Sequence, residues 1–197
     1  MSGTFPTAGF STIDFTSNVN SRVSRAVSGK VQRLKVGAQF WSFKLKSPPL
    51  EKSAFREIFP FIVKQDGQFG TFTVVPPVIS STTGTATGTV TVSDDYAAGV
   101  LTCRSTGGSG TLKKGDLIKF SNHDKVYMLT EDINLNQTDS TEDVITFYPN
   151  LVTAISNTTT VTYNSVPFKV YFDEDQQSFV SQADGTYRYE LNCVEEI

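Results

Sequence analysis

Apolar and polar side chains alternate through most of this chain, and that alternation predicts β-strands. It is clearest in residues 39–46, where Trp41, Phe43 and Leu45 fall on one side of the strand and are expected to face a core. Residues 18–21 are interpreted as the turn between the first two strands, and residues 28–30 as a bend or bulge. The same pattern predicts further strands at 10–15, 22–34, 69–75, 116–120, 125–131, 144–148, 166–172 and 187–195.

One segment departs from alternation. Residues 50–64 carry apolar side chains at helical spacing, directly after Pro48 and Pro49, and proline is tolerated in a first helical turn. The pattern therefore predicts one helix near 50–64, kinked or interrupted at Pro60 and ended by Asp66 and Gly67.

The order of these elements predicts a split domain. Pro76 and Pro77 mark a boundary, after which the sequence becomes rich in Ser, Thr and Gly. Residues 1–77 and 166–197 are expected to form one β-sandwich with a helix, and 78–165 an inserted small β-barrel or β-sandwich. Two tandem domains are the alternative, but the C-terminal piece is short for a core of its own.

Composition favours the same mainly β class. Val, Ile and Thr supply 54 of the 197 residues, and these β-branched side chains fit a pleated sheet better than a helix. No apolar run is long enough for a membrane-spanning helix, and the N-terminus lacks the pattern of a secretory signal. Cys103 and Cys193 are expected to be buried, reduced thiols.

Charge is distributed unevenly. Residues 1–64 hold ten bases and three acids, although the whole chain has a net charge of −3. This asymmetry is compatible with a solvated strand pair, with nucleic acid, or with head-to-tail contact between copies of the chain. Few aromatic residues accompany the bases, which argues against nucleic acid. The candidate inter-subunit contacts are Arg22, Arg25, Lys30, Arg33 and Lys35 on the basic side and Asp173, Glu174, Asp175, Glu195 and Glu196 on the acidic side.

No segment has the pattern of a catalytic, cofactor or metal site. His123 is the single histidine and is expected in a hairpin loop, so a catalytic triad would depend on it alone. Residues 107–114 lack the order of a phosphate-binding loop and are interpreted as a flexible tip. The oxygen-rich segment 132–143 departs from a calcium-binding loop, with Gln137 where glycine is required. We therefore expect no enzyme activity, no cofactor and no metal.

Two blocks of sequence resemble a known family. The first runs from RAVSGKVQR (25–33) through QFWSF (39–43) and the Pro-led helix to DGQFGTFTVVP (66–76). The second comprises GDLIKFSNHDKVYML (115–129), VITFYPNL (144–151) and VPF (166–168). Together they resemble structural proteins at the tail tip or baseplate of tailed bacteriophages, most closely distal tail proteins.

That resemblance implies a β-rich belt domain that forms a ring, usually a hexamer, around the tail channel and joins the tail tube to the tip. It also implies an outward-facing β module, other tail proteins such as tube and hub proteins as partners, and a place in the virion after synthesis in the host cytoplasm. Neither nucleic acid nor membrane is expected as a partner.

The main hypothesis is thus a ring-forming tail adaptor without enzyme activity. A glycan-binding module that contacts the host surface, another tail or neck connector, and an enzyme that uses His123 are the alternatives.

Overall fold

The computed structural model describes residues 3–6, 10–135 and 143–197. Within these ranges the chain forms thirteen strands and one α-helix. The elements in chain order are β1 (Thr12–Arg25), β2 (Val31–Lys46), α1 (Lys52–Lys64), β3 (Thr71–Val74), β4 (Thr87–Val92), β5 (Thr102–Leu112), β6 (Leu117–Phe120), β7 (Val126–Leu129), β8 (Ile133–Leu135), β9 (Asp143–Tyr148), β10 (Thr160–Thr162), β11 (Phe168–Phe172), β12 (Phe179–Ser181) and β13 (Tyr187–Glu195). A short 3₁₀ turn, Gly67–Phe69, follows the helix.

The first sheet draws its strands from both ends of the chain. Its order is β1-β2-β13-β11-β3, and β12 pairs with the start of β13. The strands in this path are antiparallel to their neighbours. The N-terminal segment covers the outer edge of β3, because Phe5 N–H donates to Thr73 O and Thr73 N–H donates to Gly3 O, both at 2.8 Å.

One face of this sheet packs against α1. Trp41, Phe43 and Leu45 are buried, as their alternation in β2 predicted. Ile58 and Ile62, one turn apart on α1, are completely buried, while Pro60 lies exposed inside the helix and does not end it. The remaining buried members of this core are mostly aromatic and aliphatic: Phe5, Leu50, Phe72, Val74, Leu117, Val126, Val166, Phe168, Val170, Phe172, Tyr189, Leu191 and Cys193.

The second sheet closes into a barrel. Its path is β4-β10-β6-β7-β9-β5, and β5 pairs back to β4, while β8 adds to β5 outside the ring of six strands. Residues 107–110, predicted within a flexible tip, lie inside β5. Gly107 has a φ of +80°, and a Cβ there would lie 2.5 Å from Thr89 O, so glycine lets the two strands approach. A second core fills the barrel: Ala86, Val90, Val92, Cys103, Leu112, Ile118, Phe120, Tyr127, Leu129, Ile133, Leu135, Ile145, Phe147, Leu151, Ile155, Val161 and Tyr163.

The fold-class prediction of a mainly β chain with one helix is therefore confirmed, and of the two forms left open for the second module the barrel is observed. The predicted first turn is wrong. Residues 18–21 continue β1 with a bulge between Val19 and Ser21, and the chain reverses at residues 26–30, where Gly29 has a φ of +82°. Among the described residues, no helix is long and apolar enough to cross a membrane.

Register in the first sheet defines its two ends. Residue 42 of β2 lies opposite residue 194, and residue 46 lies opposite residue 190. From residue 42 toward residue 31, β2 stays paired with β1 but no longer with β13, so the two strands continue as a hairpin past the end of β13. Because β11 and β3 pair as Phe168 with Val74, the barrel segment leaves and rejoins the sheet at this same end. The loop that follows Phe172 and the segment that carries α1 lie at the other end.

Candidate assembly surface

The hairpin formed by β1 and β2 extends beyond the body of the subunit. Every residue from Val19 to Val36 is exposed, and we call this segment the arm. At about 3.3 Å per residue, the six arm residues of β2 span roughly 20 Å. Among the described strands, β1 forms the edge of its sheet, and β13 pairs with β2 only over residues 42–46. Both outer edges of the arm therefore present backbone groups that no other described strand of the chain pairs.

Apolar side chains are unusually prominent on the arm. Val27 at its tip is fully exposed, and Leu34 and Val23 are exposed by 64% and 60%. A two-stranded ribbon on its own is marginally stable in water, and long exposed edge strands promote association with other chains. The arm thus has the features of a surface that a partner covers.

The five predicted bases all lie on the arm, and no acid accompanies them. Register places Val23 opposite Arg33 and Arg25 opposite Val31, so both arginines share one face of the ribbon with these valines. The ammonium of Lys35, at the root of the arm, lies 5.5 Å from the centre of the Tyr148 ring in the barrel. The arm is therefore a basic and partly apolar ribbon whose root contacts the barrel through Lys35.

Three of the predicted acids lie at the opposite end of the first sheet. Asp173, Glu174 and Asp175 are exposed in the loop after β11, which we call the acidic loop. Asp175 Oδ1 accepts a hydrogen bond of 3.1 Å from the backbone N–H of Gln68, and the side-chain amide of Gln68 donates to Asp173 O. The loop is thus fixed to the 3₁₀ turn while its carboxylates face solvent.

The other two predicted acids, Glu195 and Glu196, differ in exposure, and only Glu196 can reach another subunit. Glu196 is partly exposed and forms an ion pair of 3.1 Å with Lys169. Glu195 is buried, with no side-chain exposure, so its place among surface contacts is wrong. Its carboxylate is instead occupied within the subunit, between the first sheet and the barrel.

Glu195 accepts hydrogen bonds from three donors, which lie at two distant places in the chain, residue 41 and residues 125–126. Oε2 accepts from Lys125 Nζ at 2.5 Å and from the backbone N–H of Trp41 at 3.1 Å, and Oε1 accepts from the backbone N–H of Val126 at 2.8 Å. The Lys125 ammonium also donates to Gln39 Oε1 at 3.0 Å. This buried network, which we call the junction, bonds β2 and β13 of the first sheet to the barrel.

Burial opposes both charges at the junction. It raises the pKa of Glu195, against the effects of the Lys125 ammonium and the two backbone N–H groups. It lowers the pKa of Lys125, against the attraction of the Glu195 carboxylate. A buried ion pair is tolerated when each charge is hydrogen-bonded, which is the arrangement here.

Sequence reasoning identified neither Lys125 nor Gln39 as an interface residue. Lys125 follows Asn122, His123 and Asp124, a run of polar residues that is typical of an exposed hairpin turn. Its burial depends on contacts about 70 and 86 positions distant in the chain. No local pattern signals such contacts.

The remaining candidate residues take structural roles. His123 lies between β6 and β7, and its ring nitrogens lie 2.8 Å from the Tyr127 hydroxyl and 2.7 Å from Asn122 Oδ1. Burial, followed by the charge of Lys119, lowers the pKa of His123. Asp132 accepts from Lys113 Nζ and Lys114 N–H, both at 2.9 Å.

Most of the oxygen-rich segment 132–143, which was compared with a calcium-binding loop, lies at residues 136–142, outside the described residues. Among the residues that are described, no group of three or more His, Cys, Asp or Glu side chains could hold a metal ion. Cys103 and Cys193 are both buried and unpaired with each other, as predicted.

Comparison with known proteins gives two related matches. Residues 80–166 match the family model described as distal tail protein pb9, B domain. The chain is also 24% identical over 187 residues to distal tail protein pb9 of Escherichia phage T5, an alignment that covers 93% of this chain and 89% of that protein. Both findings confirm the resemblance that the two sequence blocks predicted.

Proposed function

We propose that this chain, which resembles phage distal tail proteins over most of its length, is a structural protein of a phage tail whose copies join into a ring. The arm carries the proposal, because an exposed basic ribbon with two unpaired edges needs a partner. In the ring, the subunit connects the tail tube to the tip or baseplate, and its place is the virion tail after synthesis in the host cytoplasm. Its role is assembly, without catalysis.

The proposed subunit has a split belt domain. Residues 1–77 and 166–197 form the belt, and 78–165 form an inserted peripheral module. In support, the strands of the first sheet come from both flanking segments, and the barrel strands come from the segment between them. The two connecting segments are hydrogen-bonded to each other, since Val166 N–H donates to Ser80 O at 3.0 Å. The family match over 80–166 follows the same division.

Opposite charge at opposite ends supports head-to-tail contact. The arm leaves one end of the first sheet, and the acidic loop lies at the other. A contact between unlike surfaces of identical subunits repeats until it closes, and closed rings result when the rotation permits. In the proposed ring, the arm of one subunit reaches the acidic loop of the next, and six copies complete the circle.

The apolar side chains of the arm add to this contact. Val23 and Val31, which share a face of the ribbon with Arg25 and Arg33, lose solvent exposure when a neighbouring subunit covers that face, and burial of apolar surface favours association by about 25 cal/mol per Å². Charge then contributes mainly to the choice of partner and to the rate of encounter.

Charge reversal on the arm tests the proposal. Arg25→Glu with Arg33→Glu should lower the fraction of ring-sized particles measured by analytical ultracentrifugation and make that fraction less sensitive to salt. Lys113→Glu with Lys114→Glu, in the turn between β5 and β6, makes the same change in net charge away from the arm and should assemble normally.

A second reversal identifies the partner surface. Adding Asp173→Lys with Glu174→Lys to the reversed arm should restore association, because opposite charges then face each other again. Normal assembly of the arm variant at both low and high salt would rule out the arm as the ring contact. A reduced assembly that the second reversal does not restore would rule out the acidic loop as its partner.

A further inference from the structure

The barrel contacts the first sheet where the arm begins. Gln39 and Trp41 are the last buried residues of β2 before the arm, and both bond to the segment 125–126 of the barrel. The indole Nε1–H of Trp41 donates to Val126 O at 2.9 Å, while the Trp41 ring stacks on Phe15 of β1 at 4.5 Å. Both strands of the hairpin are thus linked to the barrel at the root of the arm.

This contact is also an apolar one. Val126 and Leu117 of the barrel are buried in the core of the first sheet, and Met128 packs against the same core. The barrel is therefore docked onto the sheet in addition to its two covalent connections. A domain held in this way has little freedom to rotate, in contrast to one that hangs from a flexible linker.

A two-stranded ribbon needs such support. Paired strands without further neighbours twist more strongly than strands in a wide sheet and have marginal stability alone. For an arm of about 20 Å, a rotation of about 10° at the root moves the tip by roughly 3 to 4 Å, more than the length of a hydrogen bond. The direction of the arm at its root therefore determines whether its tip can meet a defined surface.

We propose that Lys125 and Glu195 are positioning residues that fix the direction of the arm by bonding its root to the barrel. This inference rests on the proposed ring, because it gives the inserted module a role in assembly: the module determines the angle between neighbouring subunits. A ring closes only if that angle is constant from one contact to the next. Without the junction, the arm still binds a neighbour, but the chain of subunits closes at variable numbers or stays open.

The test measures the direction of the arm in the full-length chain. Cysteines introduced at Val23 in the arm and Thr102 in the barrel, both exposed, carry spin labels, and pulsed electron resonance gives the distribution of distances between them. Cys103 and Cys193 are buried and stay unlabelled. A large excess of unlabelled chain keeps labelled copies apart in any oligomer.

The junction variant is Lys125→Met with Glu195→Gln, which removes both charges and keeps one oxygen for the backbone donors. The matched control is Lys169→Met with Glu196→Gln, the same exchange at a partly exposed pair whose lysine also contacts Asp124 of the barrel, at 3.3 Å. We expect a single narrow distance in the unmodified chain and the control, and at least a twofold broader distribution in the junction variant. Equal widths in all three chains would overturn the inference.

If the junction variant does not fold, Trp41→Phe provides the test, because it removes the Nε1–H bond to Val126 and the indole face over which the Lys125 ammonium lies, while it keeps an aromatic ring next to Phe15. The distribution should again broaden, and an unchanged width would overturn the inference. Native mass spectrometry distinguishes this result from failure of the ring itself. If the unmodified chain forms no ring but the distance distribution still broadens in the variant, the ring proposal alone is contradicted. If the unmodified chain and the variant both form rings of one size, the positioning role is contradicted.

Discussion

Removing one partner of the buried ion pair should destabilise the chain far more than removing both. Lys125→Met leaves the Glu195 carboxylate buried with only the N–H groups of Trp41 and Val126 as donors. Breaking a buried pair in this way costs about 3 to 5 kcal/mol of the free energy of unfolding. For a chain of this size, each kcal/mol corresponds to roughly 2 to 4 °C in melting temperature, so we expect a loss of roughly 6 to 20 °C.

The double variant, Lys125→Met with Glu195→Gln, should recover part of that loss. It leaves no uncompensated charge, and the glutamine oxygen can accept one of the two backbone N–H groups. The other N–H loses its partner, which costs about 1 to 3 kcal/mol. The coupling energy is the change in the free energy of unfolding of the double variant minus the sum of the changes in the two single variants. We expect the double variant to be clearly less destabilised than that sum.

Trp41 makes the assay specific for the junction. It is the only tryptophan in the chain, it is buried, and its indole bonds to the barrel. Urea unfolding followed by Trp41 fluorescence therefore reports the junction, and far-ultraviolet circular dichroism reports both sheets. We expect the two transitions to separate in Lys125→Met, with fluorescence changing first. Additive effects of the two substitutions, or a Lys125→Met variant that is less than 1 kcal/mol destabilised, would refute this account of the pair.

Three further predictions concern buried or partly buried groups outside the junction. Cys103 and Cys193 should not react with a thiol reagent until the chain unfolds, because burial raises the pKa of Cys103 to about 12 and also raises that of Cys193; rapid labelling of the folded chain would contradict this. Burial acts to raise the pKa of Asp116, but hydrogen bonds from Thr82, Lys113 and Thr83 outweigh it and hold the pKa below its ordinary value. The ionised carboxylate therefore contributes stability above about pH 4 that is lost as the pH falls through the folded pKa. Asp116→Asn should cost about 1 to 3 kcal/mol in urea unfolding at pH 7, and this cost should decrease as the pH falls below about 4. The folded state favours the neutral ring of His123, so its pKa is lower in the folded chain than in the unfolded one. The stability that His123 contributes should therefore be present above about pH 6.5 and be lost as the pH falls toward the folded pKa. A midpoint of 6.5 or higher in an NMR titration of the folded chain would refute this.

The elements whose patterns were strong and local were predicted well. The alternation around Trp41 placed three buried side chains correctly, and helical spacing located α1 within two residues of its start. In these segments, the side-chain period coincides with the face that the core buries, so local sequence and tertiary structure favour the same conformation.

The first turn shows how a local signal can fail. Asn18, Asn20 and Ser21 favour turns because their side chains bond to nearby backbone. In the structure, the long antiparallel register with β2 keeps this stretch extended, and the irregularity at residues 19–21 is a bulge in which β2 has two more residues than β1. Pairing with a strand that lies more than ten residues away overrides the preference of three residues.

The sequence by itself determined the mainly β class, the position of the helix, the buried thiols and the location of the positive charge. Each of these depends on composition or on a short-range period, which folding does not alter. Tertiary structure alone decided that the basic segment projects as an arm, that the acidic loop lies at the opposite end of the sheet, and that Glu195 is buried against Lys125. Those features depend on contacts between residues far apart in the chain, and only the closed sheet and the docked barrel bring such residues together.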